Sequence, residues 1–287
     1  MRAETIVAGE RVTRDAFLGG AVEALQPAHG HHRAGLEAVL LAASLPRDFS
    51  GLVIDLGAGA GIAGFCAAAG RARGTALLVE RDPELAACAR AALMLPANCA
   101  FAPRVRVAEV DIGAPEADRL AAGLPHAGAD AVLMNPPFHV GETVSAPRAP
   151  GRAAAHVLAG DGLELWFRTA AACLKPGGLL IAIGRAADLP EFLAAAARRF
   201  GDIDLLPIRP RPAAPATRLL LRGRAGRRGD TALLPGLVLH AGDGHAFRPE
   251  VDSVLRAGEP LGDVHAPWGN ERHRRGGSSA GEADVAG

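Results

Sequence analysis

The stretch Leu52–Ala67 constrains the fold more than any other part of the chain. An apolar run, Leu52 to Leu56, carries a single acid at Asp55 and then breaks into glycines at positions 57, 59 and 61. A helix-forming segment, Ile62-Ala63-Gly64-Phe65-Cys66-Ala67, follows at once. A short apolar run closed by glycine reads as a buried parallel strand, a tight turn and a helix N-terminus. Glycine lets backbone N–H groups approach a ligand that a Cβ would block. A lone glycine-rich turn does not say which ligand, so the neighbouring strand ends must decide.

The pattern of alternating strand and helix continues on both sides. A helix is expected over Arg33–Ser44, with Leu36, Val39, Leu40 and Ala43 on one face. Strands are expected at Leu52–Leu56, Thr75–Val79, Arg104–Val110, Asp130–Met134, Leu179–Ile183, Ile203–Ile208 and Thr217–Leu221. Helices are expected at Ala60–Ala69, Glu84–Leu95, Asp161–Leu174 and Leu189–Arg199. Asp82-Pro83 supplies an N-cap followed by proline at the first helical position. Lys175-Pro176-Gly177-Gly178 reads as a turn. This alternation implies an α/β fold of the Rossmann type: a seven-stranded, mostly parallel sheet with helices on both faces. Only Arg209–Pro215 separates the last two strands, too short for a crossover helix, so the last strand is expected to return antiparallel.

Outside this core, residues 1–32 read as an irregular extension with one short strand at Ala21–Leu25. The fold proper is expected over 33–265, with a basic hairpin region at 209–230 and a C-terminal addition at 231–265, where Leu233–His240 adds a short strand. Residues 266–287 read as a disordered tail, rich in Gly, Arg and Ser. Four scattered cysteines without a C-x-x-C pair exclude a disulfide framework and a zinc site. His29, His31 and His32 lack acidic or cysteine partners at ligand spacing, and no metal is expected. The N-terminus shows no signal-peptide pattern, and no segment reaches the ~18 apolar residues of a membrane span. A cytoplasmic monomer is the expectation.

Ligands of a doubly wound sheet bind beyond the carboxyl ends of its strands. Asp55, Glu80, Asp111 and Asn135 all fall at such ends. Glu80 can accept the two hydroxyls of a ribose, a role it would play equally for NAD or for S-adenosylmethionine. An acid before the first glycine favours the latter, because the ammonium of an amino-acid tail suits a nearby Asp55 while a pyrophosphate does not. Asp111 would take an adenine amino group and Ile112 would line the ring. Arg33 is a candidate for the carboxylate of that tail. Gly57, Gly59 and Gly61 would let the backbone approach.

Asn135-Pro136-Pro137-Phe138 follows the buried strand ending in Ala131-Val132-Leu133-Met134. Two prolines fix φ and present their carbonyls rigidly. An amine conjugated to a purine is a poor nucleophile, since its lone pair is delocalised into the ring. The Asn135 side-chain oxygen and the Pro136 carbonyl could accept its two hydrogens and steer the lone pair out of plane. Orientation and placed dipoles would then do the catalytic work. Phe138 offers a flat face for a flipped-out base.

These motifs together resemble the small-domain N6-adenine methyltransferases, most of all those that modify the adenine 3′ of the anticodon in a bacterial valine tRNA. The likeness runs from about Asp15 to Leu261. It rests on Asp15-Ala16-Phe17-Leu18-Gly19-Gly20, Gln26-Pro27, the His32–Ala42 segment, the glycine turn, Val79-Glu80-Arg81-Asp82, Asn135–His139 and Leu174–Gly178. It implies a class I fold that uses S-adenosylmethionine held by Asp55, Gly57, Gly59, Glu80 and Asp111. Asn135, Pro136 and Phe138 would hold the target adenine of a tRNA. Two features depart from the family's pattern: Glu37 where Asp is usual, and His32 where Tyr is common. Other readings of the same residues are a different planar amine (an rRNA guanine or a protein glutamine), a nicotinamide oxidoreductase, and a non-catalytic RNA-binding module.

Formal net charge is zero, so no global field recruits nucleic acid. Between Arg198 and Arg228, however, nine arginines face two acids. Arg222, Arg224, Arg227 and Arg228, with Arg209, Arg211 and Arg218, are therefore expected to contact RNA phosphates, which position a substrate without reading its sequence.

Overall fold

The computed structural model describes residues 5–29, 33, 35–71, 73–137, 162–242 and 244–269. The amino-terminal segment is not irregular. β1 (Thr5–Val7), β2 (Glu10–Phe17) and β3 (Val22–Pro27) form an antiparallel sheet in the order β1-β2-β3. Its β3 packs against a later helix, where the fully buried Asn98 locks it: the Asn98 Nδ2 donates to the Glu23 and Ala92 carbonyls, and its Oδ1 accepts from Glu23 N.

The main body alternates as expected: α1 (Leu36–Ala43), β4 (Gly51–Leu56), α2 (Ile62–Gly70), β5 (Gly74–Glu80), α3 (Pro83–Leu93), β6 (Val105–Glu109), α4 (Glu116–Ala121) and β7 (Ala129–Met134). Then come α5 (Gly162–Cys173), β8 (Leu174–Arg185), α6 (Leu189–Ala196), β9 (Phe200–Arg209) and β10 (Arg218–Ala225). The expected cap is present, with Asp82 accepting from Glu84 N and Leu85 N at the start of α3. All seven expected strands join one sheet, and β11 (Thr231–Leu233) and β12 (Leu237–Val238) extend it to nine by pairing parallel to β9. The order is β11-β9-β10-β8-β7-β4-β5-β6. β10 runs antiparallel between β8 and β9, bonded to both.

The strands are buried on both faces, as parallel sheets must be. Val53, Ala131, Leu133, Ile181 and Ile183 face one core with α1 and α2, while Ile54, Leu56, Val132, Met134, Leu180 and Ala182 face the other with α5 and α6. The expected Lys175–Gly178 turn is folded into β8 as an irregularity: Leu174 pairs with Ala129, and pairing resumes only at Leu179 with Ala131. Gly177 makes this possible with φ +76.

The carboxyl-terminal addition covers the α1–α2 face with α7 (Pro249–Ala257), α8 (Leu261–Val264) and α9 (Ala266–Gly269). The tail boundary therefore moves: residues 266–269 are helical, and Trp268 is among the most buried side chains. The rest of the expected tail lies outside the described residues. No helix among the described residues is long and apolar enough to cross a membrane.

Candidate active site

The glycine turn sits above the carboxyl ends of β4 and β5. Gly57 N and Ala58 N both donate to Val79 O, at 2.8 and 2.9 Å, which ties the turn to the neighbouring strand. Gly57, Gly59 and Gly61 have φ of +70, +57 and +89, a region that favours glycine. A Cβ on Gly61 would meet Leu78 and Phe65 at 2.7 and 2.9 Å, and one on Gly57 would meet the Trp166 ring at 2.1 Å. A Cβ on Gly59 would meet nothing within 4 Å. The bend is thus closely packed by side chains at Gly57 and Gly61, while Gly59 faces open space.

The acids at the strand ends are brought together, but they do not stand free. Asp55 is buried, and its Oδ2 accepts from Gly64 N at 2.8 Å, in the first turn of α2. Burial pushes its carboxyl up to about 7, opposed by the Gly64 bond and reinforced by the negative Glu80. Its position is that of a group that shapes the turn, tying β4 to the start of α2. Glu80 is the hub of the site: Oε2 accepts from Gly59 N at 2.8 Å, and Oε1 accepts from Arg81 N and Asp82 N at 2.9 and 2.8 Å. These bonds fix the carboxylate and leave part of its acceptor capacity unused by them. Asp111 accepts from Gly113 N at 2.7 Å through Oδ1 and from Arg81 Nη1 at 3.2 Å through Oδ2. Ile112 is buried beside it, and its carbonyl accepts from Arg119 Nη1 and Thr169 Oγ1 at 3.2 and 3.3 Å.

Arg33 corrects the expectation made of it. Its guanidinium is bound to Asp15, at 2.8 and 2.7 Å to the two oxygens, and to Thr13 Oγ1 at 2.8 Å. Gln26 Nε2 donates to the same Asp15 at 2.9 Å. The Asp15, Gln26 and Arg33 of three separate motifs thus meet in one network that ties the amino-terminal sheet to the entry of α1. The guanidinium is engaged there rather than held out to a carboxylate.

Asn135 leaves the end of β7, with Pro136 buried and Pro137 exposed behind it. The Asn135 Oδ1 is buried and has no hydrogen-bond partner among the described residues. Such an orphan is costly, ~1–3 kcal/mol, unless a ligand completes it. Phe138 lies outside the described residues, as do His139, Arg148 and Arg152.

The basic segment is split by register. Arg218 pairs with Arg185 at the carboxyl end of β8, while Arg224 pairs with Leu179 near that strand's start. Arg209, Arg211 and Arg218 therefore lie at the site end of the sheet. Arg224, Arg227 and Arg228 lie at the opposite end, where Arg224 Nη1 donates to Gly177 O. Arg222 is buried: its Nε and Nη2 donate to Asp204 Oδ2 at 3.0 and 2.7 Å, its Nη1 donates to Trp268 O at 2.6 Å, and its guanidinium stacks on the Trp268 ring at 4.5 Å. It is a structural residue. Of the arginines expected to contact RNA phosphates, Arg222 is thus taken up in the core, and Arg224, Arg227 and Arg228 lie at the end of the sheet away from the glycine bend. Glu37, the family departure, accepts from Arg218 Nε at 3.0 Å.

Trp166, Thr169 and Arg119 are the residues near the site that the sequence did not single out. Trp166 and Thr169 looked like ordinary positions of an amphipathic helix, and Arg119 like a surface charge.

A parallel sheet with a glycine bend over β4, an acid at the end of β5 and an orphaned amide oxygen at the end of β7 defines a Rossmann-like class I methyltransferase. The Methyltransferase small domain family matches residues 25–204, and the chain belongs to it. It is 35% identical to a crystal structure described as a predicted O-methyltransferase from Agrobacterium tumefaciens, over 76% of this chain and 94% of that one, with a TM-score of 0.65. More distant structures include TYW2 of P. horikoshii in complex with MeSAdo (16% identity, 78% of this chain and 79% of that, TM-score 0.48). A tRNA (m1A58) methyltransferase from Aquifex aeolicus is also similar (15%, 70% and 69%, TM-score 0.46). A comparison with curated proteins finds no match. The protein is an S-adenosylmethionine-dependent methyltransferase.

Proposed function

We propose that the acceptor is the exocyclic N6 of an adenine in tRNA, at position 37 beside the anticodon. The orphaned Asn135 Oδ1 carries this reading. Among the described residues nothing donates to it, and it stands at the strand end beside the glycine bend, followed by two prolines that hold the backbone rigid. A planar NH2 group would complete it. Bound S-adenosylmethionine supplies an electrophilic methyl on a positively charged sulfur. Asn135 Oδ1 would take one N–H and the Pro136 carbonyl the other, turning the amine's lone pair out of conjugation and towards the donor methyl; transfer would leave the donor as a neutral thioether, and the surplus proton on nitrogen would pass to water. Phe138 supports the flipped-out base by stacking. The tRNA body would cross the site end of the sheet, where Arg209, Arg211 and Arg218 offer phosphate contacts. In this reading the protein would act as a cytoplasmic monomer.

The test is nucleoside mass spectrometry of tRNA from cells lacking the protein, paired with methylation of that tRNA by purified protein and isotope-labelled donor. N6-methyladenosine lost in the cells and restored in vitro is the expected result. Label that appears in guanine or in protein glutamine instead would reassign the acceptor, and label in neither RNA nor protein would reject the reading.

A further inference from the structure

One helix touches both the glycine bend and the Asp111–Gly113 turn. Leu165, Trp166 and Thr169 of α5 lie at spacings that share a helix face. A Cβ on Gly57 would meet Trp166 Cη2 at 2.1 Å, so the indole rests directly on the first glycine of the bend. A Cβ on Gly113 would meet Leu165 at 3.2 Å, and Thr169 Oγ1 donates to Ile112 O at 3.3 Å. The Trp166 indole is only partly buried, although the next residue, Phe167, is fully buried and meets Phe192 edge-on. The Trp166 Nε1–H has no hydrogen-bond partner among the described residues, whereas that of Trp268 donates to Ser44 O at 3.3 Å. A large, half-covered aromatic with a spare N–H, lying on the ligand's own glycine, has the character of a binding surface rather than of packing.

We propose that Trp166 forms a wall of the donor pocket and contacts bound S-adenosylmethionine. Thr169 and Arg119 act behind it as positioning residues, holding the Ile112 carbonyl and hence the turn meant for the adenine ring. The proposal rests on the donor reading of the glycine bend.

The chain holds two tryptophans and no tyrosine, so emission reads them alone. Titrating the full-length protein with S-adenosylhomocysteine should change tryptophan emission saturably, at the Kd that equilibrium dialysis gives independently. Trp166→Phe should bind the same ligand within about threefold by dialysis while losing the emission change, which Trp268 alone would not supply. Trp166→Ala should bind about tenfold more weakly, the loss expected for an aromatic contact. Binding by dialysis with emission unchanged in the unsubstituted protein, or a full emission change retained in Trp166→Phe, would overturn the proposal and leave the donor reading standing. No binding by dialysis to the unsubstituted protein would overturn both.

Discussion

Removing Arg222 should cost stability and leave RNA binding alone. Its charge sits on β10 directly opposite Asp204 of β9, and both side chains are buried, at 7% and 5% exposure. Arg222→Met would delete the two bonds to Asp204, the bond to Trp268 O and the stacking on the Trp268 ring, while Asp204 stays inside. Stranding one member of a buried ion pair costs ~3–5 kcal/mol, because the survivor has lost both water and its counter-ion. For a domain of this size each kcal/mol lowers Tm by ~2–4 °C, so a drop of roughly 6–20 °C is expected in differential scanning calorimetry. Replacing both partners, as Arg222→Met with Asp204→Leu, should recover most of that loss, since an apolar pair carries no stranded charge. tRNA affinity measured below the transition should be unchanged in either variant. A Tm within about 2 °C of the parent, accompanied by weakened tRNA binding, would refute the structural role and return Arg222 to the RNA-contacting set.

Other expectations follow from the same geometry. Asp55 carries a folded-state carboxyl raised by burial to about 7 from 3.8, so its contribution is whole below about pH 4 and is lost as pH rises towards 7. That is worth roughly 4 kcal/mol at 1.36 kcal/mol per unit. Asp55→Asn keeps an acceptor for Gly64 N, and urea unfolding at about pH 5 and about pH 8 should show the variant gaining on the parent with rising pH; equal pH slopes would contradict this. Gly59→Ala should fold, at the ~1 kcal/mol cost of its positive φ, yet lose donor affinity in dialysis because the methyl enters the open cradle. Retained affinity would show that the donor lies elsewhere. Reversing Arg209 and Arg211 to Glu should weaken tRNA binding in a filter assay, and reversing Arg227 and Arg228 should not. The opposite pattern would place the RNA on the other end of the sheet.

The α/β core was legible because its signals are local. Two-sided burial makes β4, β5 and β7 near-continuous apolar runs, and Gly, Pro and the Asp82 cap punctuate them. The antiparallel return of β10 followed from a connection too short for a helix. The amino-terminal sheet was missed because β2, Glu10–Phe17, carries four charged residues, so alternation is blurred. Its burial comes from Asn98 and α3, distant in sequence. Arg222 was misjudged for the same reason: Asp204 and Trp268 lie 18 and 46 residues away, and nothing nearby in the chain shows that they meet it. Which arginines border the site depends on strand register, and a count of charges along the chain cannot contain that. The acids do stand at the strand ends, but their backbone partners could not be read from the sequence. Gly59 and Gly64 reach Glu80 and Asp55 only through the curvature of the bend.

The central claim is that Asn135 exists to hold an amine, and Asn135→Ala tests it directly. Among the described residues nothing donates to Asn135 Oδ1, so the variant should be as stable as the parent or gain up to ~1 kcal/mol. Donor affinity by dialysis should stay within about twofold, and kcat for tRNA methylation should fall by about 10²–10³. Turnover at the parental rate, or turnover lost only in step with donor affinity, would contradict the account.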